Sequence, residues 1–254
     1  MSISDVQQPH RHTKFDRYPE VFQEVVRLTQ GGGRPRILSF GCSTGQEVAT
    51  IAKYFPSAEV TGVDVSREAL GQAESEFGHV GRFLHSSEID SAEQFDVVFA
   101  MSVLCVYPAS LRRGSLRSLY PFERFDATLM EIDRLVRPGG LLVMYNANYR
   151  FVDASIAPGY RIEKCDGITE NGFVPRFSRK GVKLDGYTGV DVIYRKRREP
   201  IPELPDGSSE PYRRIFREVA RLAGAPAGKR ALVIGRTMDS DRRIVESELA
   251  GVEV

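Results

Sequence analysis

Short apolar runs alternate with segments of helical spacing along the first 147 residues of the chain. RILSF, AEVTGVDV, GRFLH, FDVVFAMSVL and LLVMYNA are predicted strands, and QEVATIAKYF, SREALGQAESEF and FDATLMEIDRLV are predicted helices among them. Such alternation is typical of a parallel sheet that helices cover on both faces. The sequence therefore predicts an α/β fold, with a Rossmann-like, doubly wound and mostly parallel sheet.

The alternation stops after Tyr149. YRIEKCDG, GFVPRFSRKGVKL and GVDVIYRKR are predicted strands without helices between them, and RKG is a predicted hairpin turn. We therefore expect antiparallel strands at one sheet edge. The domain organisation predicted from these patterns has a flexible N-terminus at 1–12, one domain at 13–200, and a linker with a helix–strand–helix extension at 201–254.

The predicted extension also resembles the start of the chain. YRRIFREVARLAGAPAGKRALVIG aligns without gaps on YPEVFQEVVRLTQGGGRPRILSFG, so that Gly235 matches Gly41. The repeat is either a second α/β unit or a chance recurrence of a common helix–turn–strand pattern. Because it has no counterpart of Gly45, we expect one ligand site rather than two.

Composition excludes several classes of function. The net charge of +1 favours neither nucleic acid nor a membrane surface as a partner, and no apolar run could span a bilayer. The three cysteines, Cys42, Cys105 and Cys165, have no metal-binding spacing, so we expect no metal site. The N-terminal residues lack the apolar segment of a signal peptide, and we expect a cytoplasmic protein.

A glycine loop follows the first predicted strand, in the sequence ILSFGCSTGQE. Gly41 and Gly45 precede a helix, whose free backbone N–H groups and dipole favour an anionic ligand. Asp64 ends the next strand, where an acid can accept hydrogen bonds from ribose hydroxyls. Together these features predict a site for a ligand that carries ribose.

Three ligand classes fit a loop of this kind to different degrees. Dinucleotides prefer G-x-G-x-x-G, but Ser43 and Gln46 stand where that pattern needs glycines. An ATP loop needs G-K-[ST], which is absent from this stretch. S-adenosylmethionine carries no diphosphate and does not need those glycines, so the loop favours it as the cofactor.

These segments resemble the class I S-adenosylmethionine-dependent methyltransferases. GCSTGQE is similar to the CSTGEE loop of the chemotaxis-receptor enzymes, and TKFDRYPEVF to their T-x-F-x-R-x-P-x-x-F segment. FDVVFAMSVLCVYP and LVRPGG are similar to their fourth strand and to the turn before the fifth. MSV replaces their R-N-V, however, and PASLRRGSLRSLYP is an extra basic stretch, so methylation of receptor glutamates is not implied.

The resemblance implies a set of donor-binding residues. Asp64 would bind the ribose diol, Val65 would pack on adenine, and Arg17 would lie near the donor carboxylate. Ser86 or Ser87 would lie near the adenine amino group, where the family usually has an acid or Asn. The complete set is Thr13, Arg17, Gly41, Ser43, Gly45, Asp64, Val65, Ser86, Ser87, Ala100, Met101 and Ser102.

The methyl acceptor should bind at the carboxyl ends of the strands, beside the donor. Polar residues there that could bind the acceptor are Tyr107, Asn146, Asn148, Tyr149 and Arg150. His85 is either a base or a structural histidine. A basic group could bind an anionic acceptor or form a solvated face, and it consists of Arg112, Arg113 and Arg117.

The sequence thus predicts an enzyme that transfers a methyl group from S-adenosylmethionine to a small molecule, such as a sugar or a secondary metabolite. A protein or RNA methyltransferase is the alternative within enzymes, although no RNA-recognition module is visible. A protein that binds the donor without methylating anything is the alternative outside enzymes. Catalytic residues and oligomeric state stay open, because methyl transfer needs alignment more than a catalytic motif.

Overall fold

The protein is described by a computed structural model over residue 8 and residues 13–29 and 33–198. The helices and strands are, in chain order, α1 Pro19–Thr29, β1 Arg36–Phe40, α2 Gln46–Tyr54, β2 Glu59–Asp64, α3 Arg67–Phe77, β3 Arg82–His85, β4 Phe95–Met101, α4 Phe122–Leu135, β5 Val136–Tyr145, β6 Tyr160–Glu163 and β7 Ile193–Lys196. The predicted linker and extension at 201–254, and nearly all of the predicted flexible N-terminus, lie outside these residues.

One seven-stranded sheet organises the described residues, in the strand order β3-β2-β1-β4-β5-β7-β6. The first five strands are parallel, whereas β7 pairs antiparallel with both β5 and β6. This arrangement confirms the predicted fold class, including the antiparallel edge. The strand order reverses between β1 and β4, and in open α/β sheets ligands bind outside the carboxyl ends of strands at such a point.

The core forms two apolar layers because successive side chains of a strand face opposite sides of the sheet. Leu38 and Val98 belong to the layer that α4 covers, whereas their neighbours Ile37 and Val97 pack in the layer of α1 and α2. Ser66 caps α3, since its side chain accepts a hydrogen bond from the Ala69 N–H at 3.2 Å.

The two central strands end at residues with left-handed backbones. Ser102 follows β4 with φ of 57°, and Asn146 follows β5 with φ of 58°. The sequence placed SVL and NA inside these strands, and this was wrong because a left-handed residue cannot continue a pleated ladder. As a result the chain turns sharply at both positions and leaves two polar side chains at the ligand-binding edge.

The region between β6 and β7 contains less regular structure than the sequence predicts. GFVPRFSRKGVKL forms isolated bridges, such as Tyr149 with Phe177, instead of a continuous strand. The RKG turn is confirmed, since the Val182 carbonyl accepts a hydrogen bond from the Ser178 N–H at 2.8 Å. Between residues 13 and 198, no described helix is long and apolar enough to cross a membrane.

Candidate functional site

The glycine loop has a backbone that only small residues allow. Gly41 and Gly45 have φ of 79° and 91°, and Ser43 between them has φ of 50°. A Cβ atom on Gly41 would lie 2.5 Å from Cγ2 of Val103, and one on Gly45 would lie 2.7 Å from the ring of Phe77. Both glycines are therefore needed for this conformation, which turns the chain from β1 into α2.

Asp64 holds the loop in place from the end of β2. Its Oδ2 accepts a hydrogen bond from the Ser43 N–H at 2.8 Å, and its Oδ1 accepts one from the Ser66 N–H at 2.9 Å. A carboxylate has about four acceptor positions, so these two bonds leave capacity for the hydroxyls of a ligand. The predicted loop and the predicted ribose-binding acid thus lie in direct contact.

Residues 13–18, which we call the strap, are fixed on top of the helices that follow the loop. The Asp16 carboxylate accepts hydrogen bonds from Tyr54 Oη at 2.8 Å and from Lys53 Nζ at 3.3 Å. The Tyr54 bond is the main reason that the pKa of Asp16 is lowered. Phe15 packs edge-on against Phe77, with 5.7 Å between ring centroids. The strap therefore lies against α2 and α3, the two helices that follow the loop.

Glu47 belongs to this site, although sequence reasoning missed it. It lies in the first turn of α2, and its Oε1 accepts a hydrogen bond from Ser39 Oγ at 2.8 Å. Burial raises the pKa of Glu47 to about 7, while the Ser39 bond and the nearby Arg17 guanidinium act in the opposite direction. The available signal was an acid two residues after the second glycine, opposite a serine in an otherwise apolar strand.

The end of β3 contributes the residues predicted for adenine. Ser86 is 4 % exposed, and its Oγ has no hydrogen-bond partner within the described part of the chain. Ser87 Oγ lies 2.7 Å from His85 Nδ1, and His85 Nε2 lies 3.1 Å from the Val65 carbonyl oxygen. Both ring nitrogens of His85 thus have partners within the protein, so these contacts favour the structural role of His85 over that of a base. Ser86 instead has a hydroxyl free for a ligand.

Polar side chains from three segments meet at the ends of β4 and β5. Tyr18 Oη and Ser102 Oγ are 3.0 Å apart, and Asn146 Nδ2 donates a hydrogen bond to Ser102 Oγ at 3.1 Å. Ala100 and Met101 are buried just before this group. The strap is thereby connected, through the predicted donor residue Ser102, to the predicted acceptor residue Asn146.

Two other predicted acceptor residues lie in the interior. Asn148 is 0 % exposed, and it accepts a hydrogen bond from the Val106 N–H at 2.8 Å and donates one to the Pro175 carbonyl at 2.9 Å. Tyr149 is also 0 % exposed and donates its hydroxyl to the Tyr120 carbonyl. These contacts join loops to each other, so a structural role accounts for both side chains.

The remaining candidates lie towards the surface. Arg150 forms a two-pronged ion pair with Asp153, at 2.7 Å from both Nε and Nη2. Tyr107 is partly exposed, and its ring packs edge-on against that of Phe173. The basic side chains of the stretch after β4 are all exposed, namely Arg112, Arg113 and Arg117.

The cysteines near the site are protonated at neutral pH. Burial raises the pKa of the Cys105 thiol to about 11 and raises that of Cys42 well above its usual value. Because the thiolate is the nucleophilic form, neither group is an effective nucleophile here. Among the residues that the structure describes, no group of three or more His, Cys, Asp or Glu side chains is arranged to hold a metal ion.

Sequence comparison finds a family model that matches part of this region. Residues 38–142, from β1 into β5, match a family model described as "Methyltransferase domain". With the sheet order, this match supports the class I methyltransferase superfamily for the domain. The narrower resemblance to chemotaxis-receptor enzymes stays a prediction. An uncharacterized Synechococcus protein is 28 % identical over 136 residues, which are 50 % of this chain and 29 % of that protein.

Solved structures of methyltransferases are similar over about half of the chain. The plantazolicin methyltransferase BpumL, in complex with S-adenosylhomocysteine, is 23 % identical in sequence. The match covers 48 % of this chain and 43 % of BpumL, with a TM-score of 0.37. CalS10, an amino pentose methyltransferase of Micromonospora echinaspora with bound S-adenosylmethionine, has 21 % identity over 52 % of this chain and 50 % of its own, with a TM-score of 0.38. The chain thus spans half or less of each protein's length.

Proposed function

We propose that the described domain is an S-adenosylmethionine-dependent methyltransferase that acts on a small-molecule acceptor. One observation carries the proposal: the loop of Gly41–Gly45 is hydrogen-bonded directly to the acid at the end of β2, through Ser43 and Asp64. A ligand that reaches the loop therefore also reaches a ribose-binding carboxylate. The methyltransferase-domain match, which covers this same region, supports the proposal.

The residues around the loop fit the chemical groups of this donor. The ribose diol of the donor can hydrogen-bond to Asp64. The donor carboxylate can pair with the positive charge of Arg17, and the donor ammonium with the negative charge of Glu47. Electrostatic interaction between Arg17 and Glu47 indicates that they lie near each other. Ser86, with its unpartnered hydroxyl, can hydrogen-bond the adenine edge. Each polar part of the donor thus has a matching side chain.

When bound, S-adenosylmethionine supplies an activated methyl group for in-line displacement. The protein then needs mainly to align the acceptor and exclude water. The Tyr18, Ser102 and Asn146 group can orient the acceptor at the ends of β4 and β5. Burial raises the pKa of Tyr18, so its hydroxyl stays protonated at neutral pH and can donate a hydrogen bond.

Calorimetry with S-adenosylhomocysteine and with NADH tests the donor assignment. We expect saturable binding of S-adenosylhomocysteine and negligible binding of NADH, because the loop lacks the dinucleotide glycines. Tight binding of NADH, or none of S-adenosylhomocysteine, would reject the proposal. Labelled methyl transfer to small-molecule, protein and RNA fractions then separates the acceptor classes, and donor binding without transfer to any of them would indicate a non-catalytic protein.

A further inference from the structure

Arg176 has a buried positive charge that no carboxylate of the described residues neutralises. The residue is 6 % exposed, and its Nη1 and Nη2 donate hydrogen bonds to the backbone carbonyls of Val174, at 3.0 Å, and Asn171. Both acceptors are neutral. Within residues 13–29 and 33–198, no carboxylate forms an ion pair with Arg176. Only two of the five N–H donors of a guanidinium are used in this way.

An unpaired buried charge costs free energy, and burial accordingly lowers the pKa of Arg176. The two carbonyls need hydrogen-bond donors, but they do not need a full positive charge. A buried charge that lowers stability and has N–H groups without acceptors is typical of a binding site rather than of a purely structural residue. The residue is thus suited to an anionic ligand.

The position of Arg176 is next to the proposed site of methyl transfer. Asn146 Oδ1 accepts hydrogen bonds from the N–H groups of Phe173 and Val174, at 2.9 and 3.0 Å, and so fixes the turn that Arg176 also binds. Asn146 in turn contacts Ser102, which we assign to the donor. The Cys105 thiol interacts electrostatically with both Arg17 and Arg176.

Exposed aromatic rings lie beside this arginine and on the turn that it binds. Tyr187 is 37 % exposed, and its ring centroid lies 6.0 Å from Cζ of Arg176. Phe173, in the turn, is 55 % exposed and contacts Tyr107 with 5.1 Å between ring centroids. Exposed rings beside a buried cation favour a ligand with an apolar or aromatic body and an anionic group.

We propose that Arg176 binds an oxyanion, a carboxylate or a phosphate, on an apolar or aromatic methyl acceptor. The identification of this ligand as the acceptor rests on the proposed function, whereas oxyanion binding by Arg176 does not. Guanidinium groups bind such anions through two parallel hydrogen bonds, and the unused donors of Arg176 allow this geometry.

The test uses the full chain and three probes: benzoate, benzamide and inorganic phosphate. Each is titrated by calorimetry against the protein alone and against the protein saturated with S-adenosylhomocysteine, which occupies the cations of the donor site. The variants are Arg176→Gln and Arg176→Lys. Arg179→Gln is the matched control, since Arg179 belongs to the same segment but is exposed and stacks on Phe122.

We expect wild type and Arg179→Gln to bind benzoate at least about tenfold more tightly than benzamide, and Arg176→Gln to lose this preference. Arg176→Lys should lose most of this preference, because an ammonium lacks the two-pronged geometry. This variant decides the result if Arg176→Gln does not fold.

Phosphate binding stronger than benzoate binding would identify a phosphate acceptor. Equal binding of benzoate and benzamide by wild type, or a preference kept without Arg176, would overturn the proposal. Failure to bind S-adenosylhomocysteine would instead reject the proposed function alone.

Discussion

The proposed donor side and acceptor side of the site are built in different ways. The donor side consists of the glycine loop, Asp64 and Ser86, each at the end of a parallel strand, with the strap as a cover. The acceptor side consists of residues 146–192, which leave β5, include the short edge strand β6 and lead back to β5 through β7. Regular strands place the donor residues, whereas side-chain hydrogen bonds to backbone groups hold the acceptor side together. Substitutions should therefore affect donor affinity on one side and stability on the other.

The largest effect is expected for Asn148→Ala. This change leaves the Val106 N–H and the Pro175 carbonyl without partners in the interior, which should lower the free energy of unfolding by about 2–4 kcal/mol. Urea denaturation measures the loss, with Asn171→Ala as a second variant of the same segment. A loss near zero would show that Asn148 is not a structural side chain and would return it to the acceptor candidates.

Asp64→Ala should act mainly on donor affinity. We expect S-adenosylhomocysteine to bind at least about tenfold more weakly, because the variant loses the ribose contact and the bond that fixes Ser43. Asp90→Ala is the matched control, since Asp90 also accepts a backbone N–H, from Ala92 at 2.8 Å, but is exposed and outside the loop. Unchanged affinity in a calorimetric titration would contradict the ribose assignment.

Glu47 should make donor binding depend on pH. With a pKa of about 7 in the free protein, Glu47 loses its proton between pH 6 and 8, and the ionised form attracts the donor ammonium. Affinity should therefore rise with pH, by up to about tenfold over this range, with release of protons on binding. The Glu47→Gln variant should show a flatter profile, and calorimetry in buffers of different ionisation enthalpy measures the protons. Proton uptake by wild type would contradict this role.

The same carboxyl group should have an opposite effect on the free protein. The folded-state pKa of Glu47 lies above its unfolded value of 4.5, so the folded state binds more protons between these values. Unfolding free energy should then decrease as pH rises through 7, and Glu47→Gln should remove this decrease. Thermal unfolding at pH 5 and pH 8 compares the two proteins. A wild-type slope equal to that of the variant would exclude Glu47 as its source.

The smallest effect is expected for Ser86→Ala. Because its Oγ has no partner within the described residues, the change should leave stability nearly unchanged while weakening S-adenosylhomocysteine binding about threefold. Ser87→Ala, which removes the contact to His85, is the neighbouring control and should leave donor affinity unchanged. If Ser87 rather than Ser86 altered the affinity, the adenine assignment would move to the exposed serine.

The glycine loop and its neighbouring acid could be predicted from local patterns, whereas the burial of the residues after β5 could not. The glycine spacing, Asp64 and the alternation of elements depend on rules that act within a few residues. Asn148 and Tyr149 looked like polar strand-end residues, but the chain around Pro175 and Phe177 covers them, and no local pattern indicates this. Arg176 was missed for the same reason, because no local pattern indicates that this side chain is buried. Glu47 is intermediate, since its position after the loop was visible in the sequence but its contact with Ser39 and its raised pKa were not.

The return of the chain to β5 has a consequence for how such a protein could diversify. Residues 146–192 begin at one strand of the sheet and end on its direct neighbour, so the two ends stay fixed whatever lies between them. Lengthening a closed loop costs only about 0.6 kcal/mol of entropy per doubling. This part could accordingly be exchanged or extended, while the half of the sheet that forms the proposed donor side kept its geometry.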